Sequence, residues 1–88
     1  MLSKTITVKN RHGLHMRPAG DFVKAMSKYE GTSVTVIKGN HQIDGKSIMN
    51  LITACIKCGT EITIEFDGPD EKAAMKEAVE LIESRFGE

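Results

Sequence analysis

Polar and apolar positions alternate from the start of the chain. Leu2, Lys4, Ile6 and Val8 fall on one side of a period of two, with Ser3, Thr5 and Thr7 on the other. That pattern, rich in β-branched residues, predicts a first strand. A polar loop follows from Asn10 to Gly13. Pro18 then opens a stretch in which Ala19, Phe22, Val23 and Met26 recur at helical spacing, which leaves Lys24 and Lys28 to solvent. Gly31 ends or follows this helix. Val34 and Val36 alternate with Thr35 and Ile37 as a second strand, and Gly39-Asn40 makes a tight turn into a short third strand, His41 to Ile43. Asp44-Gly45 breaks that strand. Ser47 is a natural N-cap for a short helix carrying Ile48, Met49, Leu51, Ile52 and Cys55, closed by Gly59. Ile62, Ile64 and Phe66 form a fourth strand. After the turn Asp67-Gly68-Pro69, Asp70 caps a last helix. Its apolar stripe is Met75, Val79, Ile82 and Phe86, widened by Ala74, Ala78 and Leu81, and Gly87 sits at its end.

The order is βαββαβα. Each strand keeps one polar face, so the expected fold is α+β. It is an open-faced sandwich, a four-stranded antiparallel sheet covered on one face by three helices. Length adds a constraint. Eighty-eight residues predict one domain over 1–88, burying about 60–65% of its unfolded surface. No second domain is left over to wall a deep cleft, so function is expected at the surface.

Charge and composition narrow the partners. Twelve basic and twelve acidic residues cancel, so no global field gathers nucleic acid or membrane. Three Phe, one Tyr and no Trp give little stacking surface for single-stranded nucleic acid. Met1-Leu2-Ser3-Lys4 has no apolar signal core and no apolar run approaches spanning length, so a soluble cytoplasmic protein without membrane insertion is expected; a monomer is expected as well. Two cysteines are too few for a disulfide framework.

The densest chemistry lies in Gly13-Leu14-His15-Met16-Arg17-Pro18-Ala19. A histidine stands just before the first helix and an arginine two residues on. Proline, with fixed φ and no N–H, suits the first helical turn. The free N–H groups and positive dipole end of the helix would then face the imidazole and guanidinium, an anion site with a nucleophile inside it. A phosphoryl group in transfer needs donors placed in advance on its equatorial oxygens. The Arg17 fork suits them, and neutral imidazole supplies the attacking nitrogen near physiological pH. A His–Arg pair that merely caps a helix has the same spacing, and spacing alone leaves both readings open.

This loop, placed after a first strand, resembles the active-site signature of HPr, the phosphocarrier of the bacterial phosphoenolpyruvate-dependent sugar phosphotransferase system. The resemblance extends over essentially the whole chain. It includes Lys46-Ser47-Ile48-Met49 opening the second helix and Gly59-Thr60-Glu61-Ile62 before the last strand. It implies a carrier, not an enzyme, with no cofactor. His15 would accept phosphate on Nδ1 from phosphorylated enzyme I and deliver it to the IIA unit of a sugar permease. Arg17 would steady the phosphoryl oxygens and Pro18 would set the helix start. Met16, Ile48, Met49, Leu51 and Ile52 would belong to the docking surface, with Lys24 and Lys28 as a basic rim for acidic partners. Ser47, an ordinary N-cap worth about 1 kcal/mol, matches the serine that an HPr kinase/phosphorylase modifies in Gram-positive-type members. A catabolite-control transcription regulator would be a further partner. Phosphate on that helix start would add charge to the docking surface without unfolding it.

The chain departs from the family pattern at several points. Met16 stands where small alanine is usual, Gly20 weakens the first helix, Asn50 replaces a common glycine, and Arg11 and His12 add charge to the loop. A nitrogen-branch HPr paralogue shares the chemistry with other partners, although the Ser47 motif leans towards the sugar system. A ferredoxin-like ligand or metal module shares the βαββαβ order, and fold alone does not choose between them.

Other motifs read as structural. Cys55-Ile56-Lys57-Cys58 has the spacing of a redox or zinc half-site, yet no second pair exists and it falls late in a helix, away from the end that stabilises a thiolate. Cys55 is expected in the core and Cys58 exposed. His12, His15 and His41 have no carboxylate or cysteine partner nearby in sequence, so no metal site is expected. Met26 and Met75 read as core and Met49 as partner-facing.

Overall fold

A computed structural model of the chain describes residues 1–9, 11, 13–14, 16–84 and 86. The elements follow as β1 (Leu2–Thr7), α1 (Arg17–Met26), β2 (Ser33–Lys38), β3 (His41–Asp44), α2 (Ile48–Thr53), β4 (Glu61–Asp67) and α3 (Glu71–Glu83). The four strands form one sheet in the order β1-β4-β2-β3, with every neighbouring pair antiparallel. The fold is the expected α+β sandwich. Helices cover one face: α3 lies over β1 and β4, α2 over β3, and α1 packs against both other helices.

Alternation along the strands decides which face is covered. On β4, Ile62, Ile64 and Phe66 are buried, and Val34, Val36 and Ile43 join them from β2 and β3. Phe22, Met26, Leu51, Ile56, Ala78 and Ile82 close the core from the helical side. The opposite face is polar. There Thr5 and Thr63 stand opposite each other, joined by a hydroxyl–hydroxyl hydrogen bond of 2.9 Å. The turn between β2 and β3 is the expected two-residue loop, because Lys38 pairs with His41. Gly39 takes φ 60 while Asn40 stays negative, the signature of a II′ turn whose twist matches the strands.

Three expectations need correction. The apolar stripe of α3 is centred on Ala74, Ala78 and Ile82, with Met75, Val79 and Leu81 only half-buried. Small alanines let the helix sit close on the sheet, so the larger side chains flank the contact. Phe86 is buried but lies beyond the helix end, at φ 52. Asp70 occupies the N-cap position of α3 without a side-chain cap; its own N–H donates to Thr32 Oγ1 at 3.0 Å. Cys55 is exposed, not core. The second helix ends at Thr53 with Ala54 as C-cap, and Cys55 turns left-handed at φ 55. That is the place usually taken by glycine. Ile56, 2% exposed, fills the core instead. Asn10 and Gly87, given roles in the sequence reading, lie outside the described residues.

Candidate functional site

The loop before α1 is seated on the segment that follows α2. Leu14 is fully buried, and its N–H donates to the Ile56 carbonyl at 2.8 Å. Gly13 has φ 64, and a Cβ built there would lie 2.2 Å from Ile56 O and 2.8 Å from Lys57 Cα. Only glycine permits that approach. Met16 is the N-cap of α1 at φ 53 and ψ −118, with no side-chain cap. This is a sparsely populated region for a side-chain-bearing residue, costing about 1–3 kcal/mol. Strain therefore sits at Met16, immediately before the helix.

The helix starts at Arg17, one residue before the expected Pro18, and its first backbone bond runs from Gly20 N–H to Met16 O at 3.1 Å. A cation at a helix N-terminus opposes the dipole, but here the described residues include two acceptors for Arg17. Its Nη1 donates to Asp21 Oδ2 at 3.0 Å and its Nη2 to the Phe86 carbonyl at 3.2 Å. Pro18 is buried in the first turn, as its fixed φ favours. His15, the candidate nucleophile, and His12 lie outside the described residues. His41 is exposed on the edge strand β3, in an open groove of about 430 Å³ beside Lys38 and Asn50. Among the described residues, no group of three His, Cys, Asp or Glu is placed to hold a metal.

The residues assigned to docking divide. Met16, Ile48 and Met49 are large apolar side chains exposed at 69%, 44% and 68%. Lys24 is exposed as well. Leu51 is fully buried and Ile52 half-buried against the core, so Leu51 is a core residue and Ile52 offers only an edge. On a two-turn helix the core takes the side chain one turn after Ser47, and the exposed pair is left at the start. Lys28 is half of an ion pair: its Nζ lies 2.8 Å from Glu77 Oε2, tying the turn after α1 to α3.

Tyr29 donates to the other oxygen of Glu77. Hydrogen bonds from Lys28 and then Tyr29 hold the Glu77 carboxyl below its ordinary 4.5. The same bond raises the Tyr29 phenol above 10.0, with burial adding to it. A depressed carboxyl stabilises the fold above its unfolded pKa, and that contribution disappears as pH falls through the lower folded value. Glu77→Gln is therefore expected to be less stable than the parent at pH 7, with the gap closing below 4.5. Urea unfolding at the two pH values reads this, and a gap of equal size at both would show that the carboxylate charge plays no part.

Ser47 caps α2 as expected, accepting from Asn50 N–H at 3.3 Å. Lys46 beside it donates its Nζ to the Tyr29 carbonyl at 2.7 Å, which fastens this helix start to the turn that follows α1. The sequence reading passed over Asp21 and the Lys46 tether. For Asp21 a signal was available, since Arg17 and Asp21 are spaced i,i+4 on a helix. For the tether no local signal existed.

A surface loop at a helix start on an open-faced sandwich suits a small carrier domain without by itself defining one. The family model described as "PTS HPr component phosphorylation site" matches residues 2–84. The chain is 39% identical over 88 residues to the phosphocarrier protein HPr of Xylella fastidiosa, covering 100% of this chain and 98% of that protein. Among solved structures, HPr-C-His from Thermoanaerobacter tengcongensis superposes with a TM-score of 0.96 at 41% identity, covering 100% of this chain and 98% of that one. The catabolite repression protein Crh of Bacillus subtilis, described as a swapped dimer, gives a TM-score of 0.75 at 28% identity over 97% of each chain. The chain belongs to the HPr family of phosphocarrier proteins of the phosphotransferase system. Such proteins carry a phosphoryl group and are not enzymes. Among the described residues, no helix is long and apolar enough to cross a membrane.

Proposed function

We propose that His15 accepts a phosphoryl group from phosphorylated enzyme I and passes it to the IIA unit of a sugar permease, in the cytoplasm and as a monomer of one domain. The observation that carries this reading is the position of its motif. Gly13 to Ala19 runs from a loop pinned on Ile56 into the first turn of α1, within the stretch matched by a family defined by its phosphorylation site.

In the proposed step a lone pair of neutral imidazole attacks phosphorus. The bond from phosphorus to the donor group of enzyme I breaks as the bond to His15 forms, and its electron pair leaves with that donor group. Arg17, one position into the helix, neutralises charge on the phosphoryl oxygens, aided by the positive end of the α1 dipole. Met16, Ile48 and Met49 supply the apolar contact for either partner and Lys24 the basic rim. Incubation with enzyme I and labelled phosphoenolpyruvate is expected to give one acid-labile phosphate per chain, absent in His15→Ala. An intact chain that takes no label would overturn the reading.

Ser47 is proposed as a second, regulatory site for an HPr kinase/phosphorylase, with a catabolite-control transcription regulator as reader. Likeness to Crh favours this addition. A phosphate on the N-cap oxygen would sit at the positive end of α2 beside the exposed Ile48 and Met49, where it would repel an acidic partner. The expected product with kinase and ATP is acid-stable label that survives His15→Ala and disappears in Ser47→Ala. Label that persists in Ser47→Ala would remove Ser47 from the scheme.

A further inference from the structure

The guanidinium assigned to the phosphoryl group already holds an anion. Arg17 Nη1 and Asp21 Oδ2 are 3.0 Å apart across one helical turn, both partly open to solvent at 61% and 41%. The other arm of the fork is turned to the Phe86 carbonyl at 3.2 Å. We propose that Asp21 is a positioning residue that destabilises the phosphorylated form by competing with the phosphoryl group for Arg17. The proposal rests on the His15 carrier reading.

Two effects act in the same direction. Arg17 is drawn along the helix towards Asp21, so engaging phosphate means giving up or sharing that contact. The Asp21 carboxylate also lies one helical turn from Arg17, the side chain assigned to the phosphoryl oxygens, and like charges repel. Both effects raise the free energy of the phosphorylated chain relative to the unphosphorylated one, and only such a difference moves an equilibrium. A carrier built this way releases its group more readily. Because the pair is solvated, its influence is modest and screened by salt.

The test uses the full chain with catalytic enzyme I, phosphoenolpyruvate and pyruvate, and reads the equilibrium ratio of phosphorylated to unphosphorylated protein. One phosphoryl group moves per chain, from phosphorylated enzyme I to His15, with one bond to phosphorus broken and one formed as above. Asp21→Asn is expected to shift the ratio about two- to fivefold towards the phosphoprotein at low ionic strength. Asp21→Glu, which keeps the charge within reach of Arg17, should restore the parent value, and the Asn effect should shrink in about 1 M salt. Parent protein that takes label while Asp21→Asn leaves the ratio unchanged refutes the role of Asp21 alone. Equal shifts in Asn and Glu, or a shift indifferent to salt, trace to an altered helix and also refute it. A parent that takes no label overturns the carrier reading, and the proposal with it.

Discussion

Phe66→Ala is expected to remove about 3–5 kcal/mol of stability, the usual cost of deleting a buried ring. Phe66 is fully buried on β4, between Leu2 of β1 and Val34 of β2, beneath the helical layer. No neighbour is free to fill the space, because the flanking strands are held in register on both sides. A small domain has only about 5–15 kcal/mol in total. The variant should therefore melt about 12–40 °C lower, at roughly 4–8 °C per kcal/mol for this size. Urea unfolding should show a lower midpoint with an unchanged slope, the sign of lost stability without a change in the surface exposed. A loss under about 1 kcal/mol would mean that the layers collapse onto the void, contrary to the close packing argued here.

Gly13→Ala is expected to strike stability and function together. The added Cβ would meet the Ile56 carbonyl at 2.2 Å, and that obstacle is backbone, which cannot swing aside. The loop must lift, which breaks the 2.8 Å bond from Leu14 N–H to the same carbonyl. A left-handed penalty of about 1–2 kcal/mol and a lost hydrogen bond of about 1 kcal/mol already give roughly 2–3 kcal/mol. On the proposed carrier reading, His15 two residues on would move with the loop. A misplacement near 1 Å lowers the transfer rate about 10²-fold. Enzyme I-dependent labelling, followed in time beside a melting curve, checks both halves. A variant that melts lower yet takes label at the parent rate would separate the seat of the loop from the chemistry.

Much of the fold was legible because its signals are local. Alternation in Ile62, Ile64 and Phe66 marked β4, Gly39-Asn40 marked the β2–β3 hairpin, and Ser47 marked the start of α2. The misreadings share one cause. Leu51, Cys55 and the α3 stripe each required knowing how closely a helix sits on the sheet or where it stops, and hydrophobicity does not report distance. The apolar arc of α3 is wide enough that a sequence centre at Met75 and Val79 misses the packed centre at Ala74 and Ala78 by one residue. Lys28 read as free surface charge because its partner Glu77 is 49 positions away.

The sequence by itself determined the order of elements and the Gly13-to-Ala19 motif, with a histidine and an arginine at the mouth of a helix. Periodicity, caps and turn residues act over a few positions, so they are readable without a fold. Tertiary structure alone decided that β4 enters between β1 and β2, that the motif loop rests on Ile56, and that Arg17 lies between Asp21 and the carbonyl of Phe86. The insertion of β4, the seat of the loop and the Phe86 contact join residues far apart in the chain. They arise only when burial of the shared core brings those segments together, and no local pattern encodes which distant partner will arrive.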